Sequence, residues 1–438
     1  MLQAGFFRID ISPERGIQMA GFPDVIRRCT GVHDPLYATA ACLSDGDTSL
    51  CILSLDLLWY HKKHIARIRR MIAEKTAIPF ENILICCTHT HSGHLHASFA
   101  EFTPEQLAEM PSEEYISALD GRIAGCAVSA YEALCPAQLG EGSIRCGLES
   151  GIGGNRRDPV NGAVDPLLTA LSFRREDGSV AGCVVRYSLH PSAMHEDNTL
   201  ASADYVAWLR EKLETAYPGC RVLFLLGTAG DQSNRHTRVY QGFAEPERMG
   251  NILGDAACQL LSGLTYADAS LATAGNEIDL TLRSLPSEEV CLARCQATRT
   301  ELARLKDAEV TGAELRKAEV EMFGADCLLG YVRQMATPAG AEKLRAELPA
   351  EVTVFRIGQT CLVGTQGELF VEFGLRLRAE SPFPSTHMVT LAGGGLPGYV
   401  CSPAAYREGG YEVGSSLLSP EAGDQIVEEA LRLLKTLS

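Results

Sequence analysis

The apolar run Ile83-Leu84-Ile85-Cys86-Cys87 breaks off at Thr88-His89-Thr90-His91-Ser92-Gly93-His94-Leu95-His96, which places four of the chain's 11 histidines within eight residues. A short apolar run bounded by polar residues and glycine reads as a buried strand. Strand geometry continued through residues 88–91 would put His89 and His91 on one face, about 7 Å apart at ~3.3 Å per residue. Neutral imidazole is both a common metal ligand and an acid or base near neutrality. Two imidazoles at a strand end, entering a glycine-containing loop, are what a catalytic zinc site uses. His94 and His96 read as the polar loop that follows.

Two segments share one plan. A strand at 49–55 ends at Asp56, a helix follows over about 61–75, and a strand at 83–87 ends at His89. A second strand at 182–188 ends at His190, a helix covers about 203–216, and a strand at 221–226 runs into Gly227-Thr228-Ala229-Gly230-Asp231-Gln232-Ser233. Alternating strands and helices predict an α/β fold with mixed, largely parallel sheets flanked by helices, built from two loosely similar strand–helix–strand halves. In such sheets ligands bind beyond the carboxyl ends of strands. Residues 287–347 change character: Leu292, Leu302, Leu305, Leu315 and Val320 recur at helical spacing among Glu, Arg and Lys, which predicts an inserted helical hairpin. No Ser/Gly/Pro-rich linker divides the chain, so residues 1–438 read as one domain.

Charge excludes two classes of partner. Lys plus Arg number 39 against 55 Asp plus Glu, a formal charge of −16. Nucleic acid and anionic membrane surfaces both reward a basic face instead. No apolar stretch reaches the ~18 residues needed to span a bilayer, and the first residues lack the basic-then-apolar order of a secretion signal. The 16 cysteines are scattered without a CxxC pair, and most lie in apolar runs. Reduced, buried thiols in a cytoplasmic protein are the expectation.

Five further constellations bear on chemistry. His190 ends its strand before Pro191, in the place His89 holds in the first unit. Glu368, in Gly364-Thr365-Gln366-Gly367-Glu368, sits at a strand-to-helix turn, where a carboxylate either caps the helix or completes a His/His/Glu metal set. Gly393-Gly394-Gly395-Leu396-Pro397-Gly398-Tyr399 lacks the lysine of a phosphate loop but lets backbone approach a ligand closely; Tyr406 and Tyr411 follow it. Gly153-Gly154-Asn155-Arg156-Arg157 places fixed positive charge in a turn, suited to an oxyanion or a carboxylate. Ser233 lies in a glycine-bounded turn that is not a GxSxG nucleophile elbow.

In order along the chain, these segments resemble the catalytic domain of neutral ceramidases and shorter ceramidase-like proteins of bacteria. The matching residues are Asp10-Ile11-Ser12-Pro13 with Met19-Ala20-Gly21-Phe22, Val32-His33-Asp34-Pro35-Leu36-Tyr37-Ala38, Ser54-Leu55-Asp56, and residues 88–93. Asn155-Arg156, His190-Pro191, Asn198-Thr199 and Ser202-Ala203-Asp204-Tyr205 follow. Gly230-Asp231 with Ser233, Gly367-Glu368, and Gly398-Tyr399 with Tyr411 close the set. The resemblance implies a mononuclear zinc amidohydrolase acting on a linear N-acyl amide, a small-molecule substrate. It implies His89, His190, Glu368 and Tyr399 as ligands of one Zn2+ per chain. His91, Arg156 and Tyr411 would face the scissile amide, Ser233 would position it, and Gly21 and Asn155 would line the pocket.

The chain departs from the family pattern around the substrate entrance. Where the family continues Pro-Gly-Gly after the Thr-His-Thr-His-Ser-Gly run, this chain has His94-Leu95-His96; Asn234 replaces proline after the serine; and Arg157 stands where serine is common. The additional C-terminal β-sandwich of full-length neutral ceramidases is not expected here. With Arg157, His94 and His96 at the entrance, a smaller, anionic N-acyl compound suits the pocket at least as well as a lipid. Two rival readings are a metal-independent serine hydrolase using Ser233 and a non-catalytic protein with a metal pocket kept for ligand recognition.

Overall fold

Short turns decide how the strands pair. Strands β1 (Gln3–Asp10), β2 (Tyr37–Ser44), β3 (Ser49–Leu55) and β4 (Ile83–Cys87) form the first half of the main sheet. Strands β5 (Cys135–Arg145), β6 (Leu167–Arg175), β7 (Val180–Tyr187) and β8 (Arg221–Leu226) form the second. Asp45-Gly46-Asp47-Thr48 joins β2 to β3 and Glu176-Asp177-Gly178-Ser179 joins β6 to β7, and both pairs are antiparallel. Four residues cannot make a parallel crossover, which needs a dozen or more. The parallel pairs are β3/β4 and β7/β8. Helix α1 (Lys62–Ala73) lies between the strands of the first, and α3 (Tyr205–Ala216) between those of the second; α2 (Glu113–Glu132) and α4 (Ala244–Ser262) follow β4 and β8. The computed structural model describes residues 1–22, 25–95 and 111–438.

The sheet order is β8-β7-β6-β5-β1-β2-β3-β4, so the two halves repeat one plan of three strands, a helix, a strand and a helix. The α/β class and the paired halves agree with the sequence. The balance within the sheet differs, because parallel pairing is confined to the strands that flank a crossover helix. The Asp-Gly turns carried that signal, since such turns mark hairpins. The halves join over only two residue pairs, Gln3↔Pro136 and Ala4↔Cys135. Strand β8 meanwhile lies against the first half, where the Ser54 hydroxyl donates to the Phe224 carbonyl at 2.6 Å.

A second sheet holds β9 (Leu271–Ile278), β10 (Ala350–Ile357), β11 (Thr360–Thr365) and β12 (Ser385–Val389), in that order. Its one parallel pair, β11/β12, again flanks a helix, α8 (Val371–Glu380). Strand alternation divides the core into layers. In β3, Cys51, Leu53 and Leu55 face helices α1–α4, whereas Leu50 and Ile52 face the second sheet. Phe355, Ile357 and Leu362 meet them from that sheet. Its outer face is covered by Phe373 and Leu377 of α8 and by Ile426, Val427 and Leu434 of α9 (Ala422–Thr436). The result is helices, sheet, sheet, helices. Strands buried on both faces explain why the run at 83–87 is apolar throughout and why the one polar residue of 50–55, Ser54, spends its hydroxyl on the Phe224 carbonyl.

Between the sheets' strands, residues 287–347 form α5 (Glu288–Asp307), α6 (Ala313–Met335) and the shorter α7 (Pro338–Arg345). Cys291 and Cys295 of α5 pack on Ala325, Leu328 and Leu329 of α6. The hairpin is therefore present, with a third helix added. All 16 cysteines are free thiols, and no helix among the described residues is long and apolar enough to cross a membrane.

A buried ion cluster ties the layers together. Asp165, fully buried, accepts from Arg186 of β7 at 2.6 Å and from both terminal nitrogens of Arg378 of α8 at 3.0 and 2.7 Å. Burial pushes its pKa up, but the two guanidinium groups outweigh that and hold the carboxyl well below the usual carboxylate range. A carboxyl with a depressed folded-state pKa stabilises above its unfolded value and loses that contribution as pH falls. Asp165→Asn is expected to cost about 3 kcal/mol in urea denaturation at pH 7, because it strands Arg186 in the core. The gap between wild type and variant should shrink below about pH 4, where the unfolded chain's carboxyl takes up a proton that the folded one still resists.

Candidate active site

Strand β4 ends at Cys87, and the chain turns sharply rather than continuing extended: His89 has a left-handed φ of 71°. A non-glycine residue there stores strain on the order of 1–3 kcal/mol, a cost found at functional sites. Its amide donates to the Leu57 carbonyl at 2.9 Å. The His89 and His91 rings consequently stand edge to face with centroids 5.1 Å apart, instead of spaced along one strand face. The loop after β7 interlocks with this turn. His91 N donates to Pro191 O at 3.2 Å, Thr90 Oγ1 to Ser202 O at 2.6 Å, and Asn198 Nδ2 to Ser92 Oγ at 3.0 Å. That meshing brings His190 to His89.

Backbone carbonyls fix the tautomer of three rings. His89 Nδ1 donates to Leu58 O at 2.7 Å, His190 Nδ1 to Ala229 O at 2.7 Å, and His91 Nδ1 to Gly21 O at 2.9 Å. In each neutral ring the proton is on Nδ1, and Nε2 carries a lone pair. Burial drives the pKa of His190 down to about 4 and that of His91 well below its ordinary value. The Nε2 atoms of His89 and His190 lie 3.0 Å apart, and Glu368 Oε2 lies 3.1 and 3.2 Å from them. Glu368 Oε2 and His91 Nε2 are buried without a hydrogen-bond partner. Ligating atoms of His89, His91 and His190 all fall within 4.8 Å of one another.

Glu368 arrives from the second sheet. It follows β11 in a turn, and its two-residue strand pairs in parallel register with Tyr399. It does not cap α8: the Val371 amide instead donates to Asp231 Oδ1 at 2.9 Å. Beside Tyr399 stands Arg156, its guanidinium 5.4 Å from the Tyr399 ring and 5.9 Å from that of Tyr411. Arg156 Nε donates to Glu412 at 2.8 Å, while its Nη2 is buried without a partner. Burial first, then the Glu368 charge, push the Tyr411 phenol up to about 12, so it stays a donor. The inserted hairpin holds Tyr411 in place, because α6 approaches it at Gly324, where a Cβ would sit 2.9 Å from the Tyr411 carbonyl oxygen.

A cavity of about 370 Å³ opens from this cluster. His91, Gly21, Arg156, Ser233, Tyr399 and Tyr411 form its inner wall, and the first turns of α6 form the opposite wall. Its volume falls within the ~300–1,000 Å³ of small-molecule sites.

The family described as neutral/alkaline non-lysosomal ceramidase, N-terminal, matches residues 3–221, half of the chain. The chain belongs to this ceramidase family. It is 24% identical to a neutral ceramidase of Pseudomonas aeruginosa over 469 aligned positions, covering 95% of this chain and 69% of that protein. A crystal structure of neutral ceramidase from Pseudomonas aeruginosa superposes with a TM-score of 0.76 at 18% identity, covering 100% of this chain and 74% of the other. A ceramidase complexed with C2 gives 0.74 at 17% identity, covering 100% and 75%. These two likenesses show that the fold is shared.

Not every residue expected at the ceramidase-like pocket reaches it. Asn155 is buried behind the wall, where it donates to Asp231 Oδ2 at 2.8 Å and accepts from the Arg157 and Asp158 amides, pinning the turn. Arg157 turns away to Glu412 at 2.7 Å, Glu408 and the Gly409 carbonyl. His94 is buried against Tyr115, with ring centroids 5.9 Å apart. Neither Arg157 nor His94 lines the cavity; His96 lies outside the described residues. Ser233 does line it, but its Oγ accepts only from the Arg235 amide at 3.3 Å, and no histidine bonds it among the described residues. Besides Arg156, the cations on the wall are Arg235, Arg238 and Arg316. The first two follow Ser233 closely in a basic stretch that the sequence displays; Arg316 has the pattern of a solvated helix face.

Gly21 is the tightest constraint on His91. Its φ is +108°, and an added Cβ would lie 2.7 Å from the His91 Cβ. Gly21→Ala is expected to lose on the order of 1–3 kcal/mol in chemical denaturation. A crystal structure of the variant should show the His91 ring displaced from the Gly21 carbonyl.

Proposed function

We propose that this ceramidase-family hydrolase is a zinc-dependent amidohydrolase that cleaves the C–N bond of a linear N-acyl amide. One observation carries the reading. His89 Nε2, His190 Nε2 and Glu368 Oε2 lie within 3.0–3.2 Å of one another, and with both rings neutral they are three acceptors with no hydrogen among them, because each ring proton is committed to a carbonyl. Facing lone pairs repel unless a cation joins them. Tetrahedral zinc bonds of ~2.0–2.1 Å would space their ligand atoms about 3.3 Å apart, close to the separations seen. Two histidines and a glutamate form a known catalytic zinc set, and Tyr399, paired to Glu368, would supply a fourth ligand through its phenol oxygen. Zinc held there would acidify a water and polarise the amide carbonyl.

The surrounding residues suit the remaining work. His91 Nε2 is unpartnered and faces the cavity side of the cluster, so it accepts the water proton and returns it to the departing amine nitrogen. Arg156 Nη2 and the Tyr411 hydroxyl donate to the carbonyl oxygen as it gains negative charge. A serine mechanism through Ser233 lacks a bonded histidine to activate the hydroxyl.

Metal analysis tests the reading. About one zinc per chain is expected, with His89→Ala and Glu368→Ala holding less than a tenth of that. His91→Ala should keep its zinc while turnover of an N-acyl amide falls by roughly 10²–10⁴-fold, the usual weight of general acid–base catalysis. Loss of metal from His91→Ala would move His91 into the ligand set. Full amide hydrolysis by zinc-free protein would overturn the proposal.

A further inference from the structure

We infer that the cavity carries a carboxylate subsite on Arg235 and Arg238, so that the preferred substrate is an amide bearing a carboxylate close to the scissile bond. The inference rests on the amide-hydrolase reading and names the substrate class of that same site.

Two of the four arginines on the wall already have carboxylate partners. Arg156 is paired with Glu412 at 2.8 Å, and Arg316 spans Glu196 at 3.2 Å and Glu319 at 2.9 Å. Arg238 donates through Nη2 to the Ala193 carbonyl, but its Nη1 is buried without a partner. The Arg235 guanidinium is half-buried, and among the described residues it makes no hydrogen bond and no ion pair. Both side chains line the cavity. Burial first, then the neighbouring Arg156 and Arg316 cations, push the Arg235 pKa down to about 10. Two guanidinium groups thus stand in one cavity with no carboxylate bonded to either, since the Glu196 and Glu319 carboxylates on the same wall are paired with Arg316.

Nothing in the packing requires that arrangement. A half-buried arginine that only supports structure pairs with a carboxylate or a carbonyl, because an unpaired polar group out of water costs a few kcal/mol. A guanidinium presents a planar fork of donors that matches a carboxylate in two parallel, charge-assisted bonds. The opposite wall adds donors. Gly312, the N-cap, and Ala313, the first residue of the 23-residue helix α6, line the cavity, and no side chain caps the helix start. The free amides and dipole at such a helix start favour negative charge. A neutral amide of a long-chain lipid would leave all these donors unpaired. The expected preference for an anionic compound then rests on residues other than Arg157 and His94.

The carboxylate can sit on the amine side, as in an N-acyl amino acid, or on the acyl side, as in a monoamide of a dicarboxylic acid. Zinc-loaded enzyme would be assayed with N-hexanoylglycine against N-hexanoylglycinamide, and with N-butylsuccinamic acid against N-butylbutanamide. Ceramide in detergent serves as the lipid comparison. One acid is expected to exceed its neutral partner and ceramide by at least tenfold in kcat/KM, and which acid does so identifies the side. Arg235→Gln and Arg238→Gln should collapse that ratio towards one through a higher KM, and Arg235→Lys should restore part of it. Ceramide or the neutral amides equalling both acids, or a ratio untouched by Arg235→Gln, would overturn the subsite. Calorimetric binding of both acids to the His89→Ala variant separates the two proposals. Binding that Arg235→Gln abolishes, with no hydrolysis of any amide by wild type, would sink the hydrolase reading and keep the subsite. Hydrolysis of neutral amides with no binding of either acid would do the reverse, and absence of both would overturn both.

Discussion

Three acceptor atoms pressed together without a proton between them set the terms for everything around them. His89, His190 and Glu368 belong to three separate strand-ending turns, one from each half of the main sheet and one from the second sheet. Each half must be complete, and both sheets must stack, before the cluster exists. Each ring is oriented by a hydrogen bond to a backbone carbonyl, so the turns themselves select the tautomer. Such outer partners govern a ligand's basicity and direction as much as the ligating atom does.

Holding those turns together falls to buried polar groups placed between layers. Arg210 of α3 makes two bonds, at 3.0 and 2.9 Å, to Asp56 at the end of β3, coupling the helix of one half to a strand end of the other. Asp165 couples β7 to α8 in the same manner. Arg27 donates to the carbonyls of Asn198, at 2.9 Å, and His91, at 2.7 Å, clamping the two histidine-bearing loops against each other. Buried pairs of this kind add little net stability, but removing one partner strands a charge. Their positions favour one alignment of the layers over others.

The cavity wall obeys different rules from the cluster beneath it. The inner residues His91, Arg156, Tyr399 and Tyr411 are locked by backbone bonds, Glu412 and close packing of the hairpin on Tyr411. Arg235 and Arg238 follow Ser233 in a loop and are held by little. A rigid floor with a loosely held rim lets one fold serve different head groups, since the chemistry stays fixed while the rim reads the substrate.

Much of this architecture is legible in the amino-acid sequence. Apolar runs ending at His89 and His190 reveal two parallel units, because strands buried on both faces are mostly apolar until they emerge, and the few polar residues within them, such as Arg186, must be paired. Helical spacing over residues 287–347 reveals the hairpin. The antiparallel hairpins are also written in the Asp-Gly turns, though a period of apolar residues alone does not show direction. What only the tertiary structure decided was side-chain direction at the ends of elements. His89 escapes strand alternation through a left-handed turn, so its approach to His91 comes from a backbone angle that local pattern does not reveal. Arg157 and Arg156 are adjacent in sequence, yet Arg157 serves Glu408 and Glu412 behind the wall while Arg156 lines the cavity. Arg316, more than 150 residues distant from Arg156, faces the same cavity. Residue type and strand position are properties of the local chain; which charges share a cavity depends on how distant segments pack, and that is set by the whole fold.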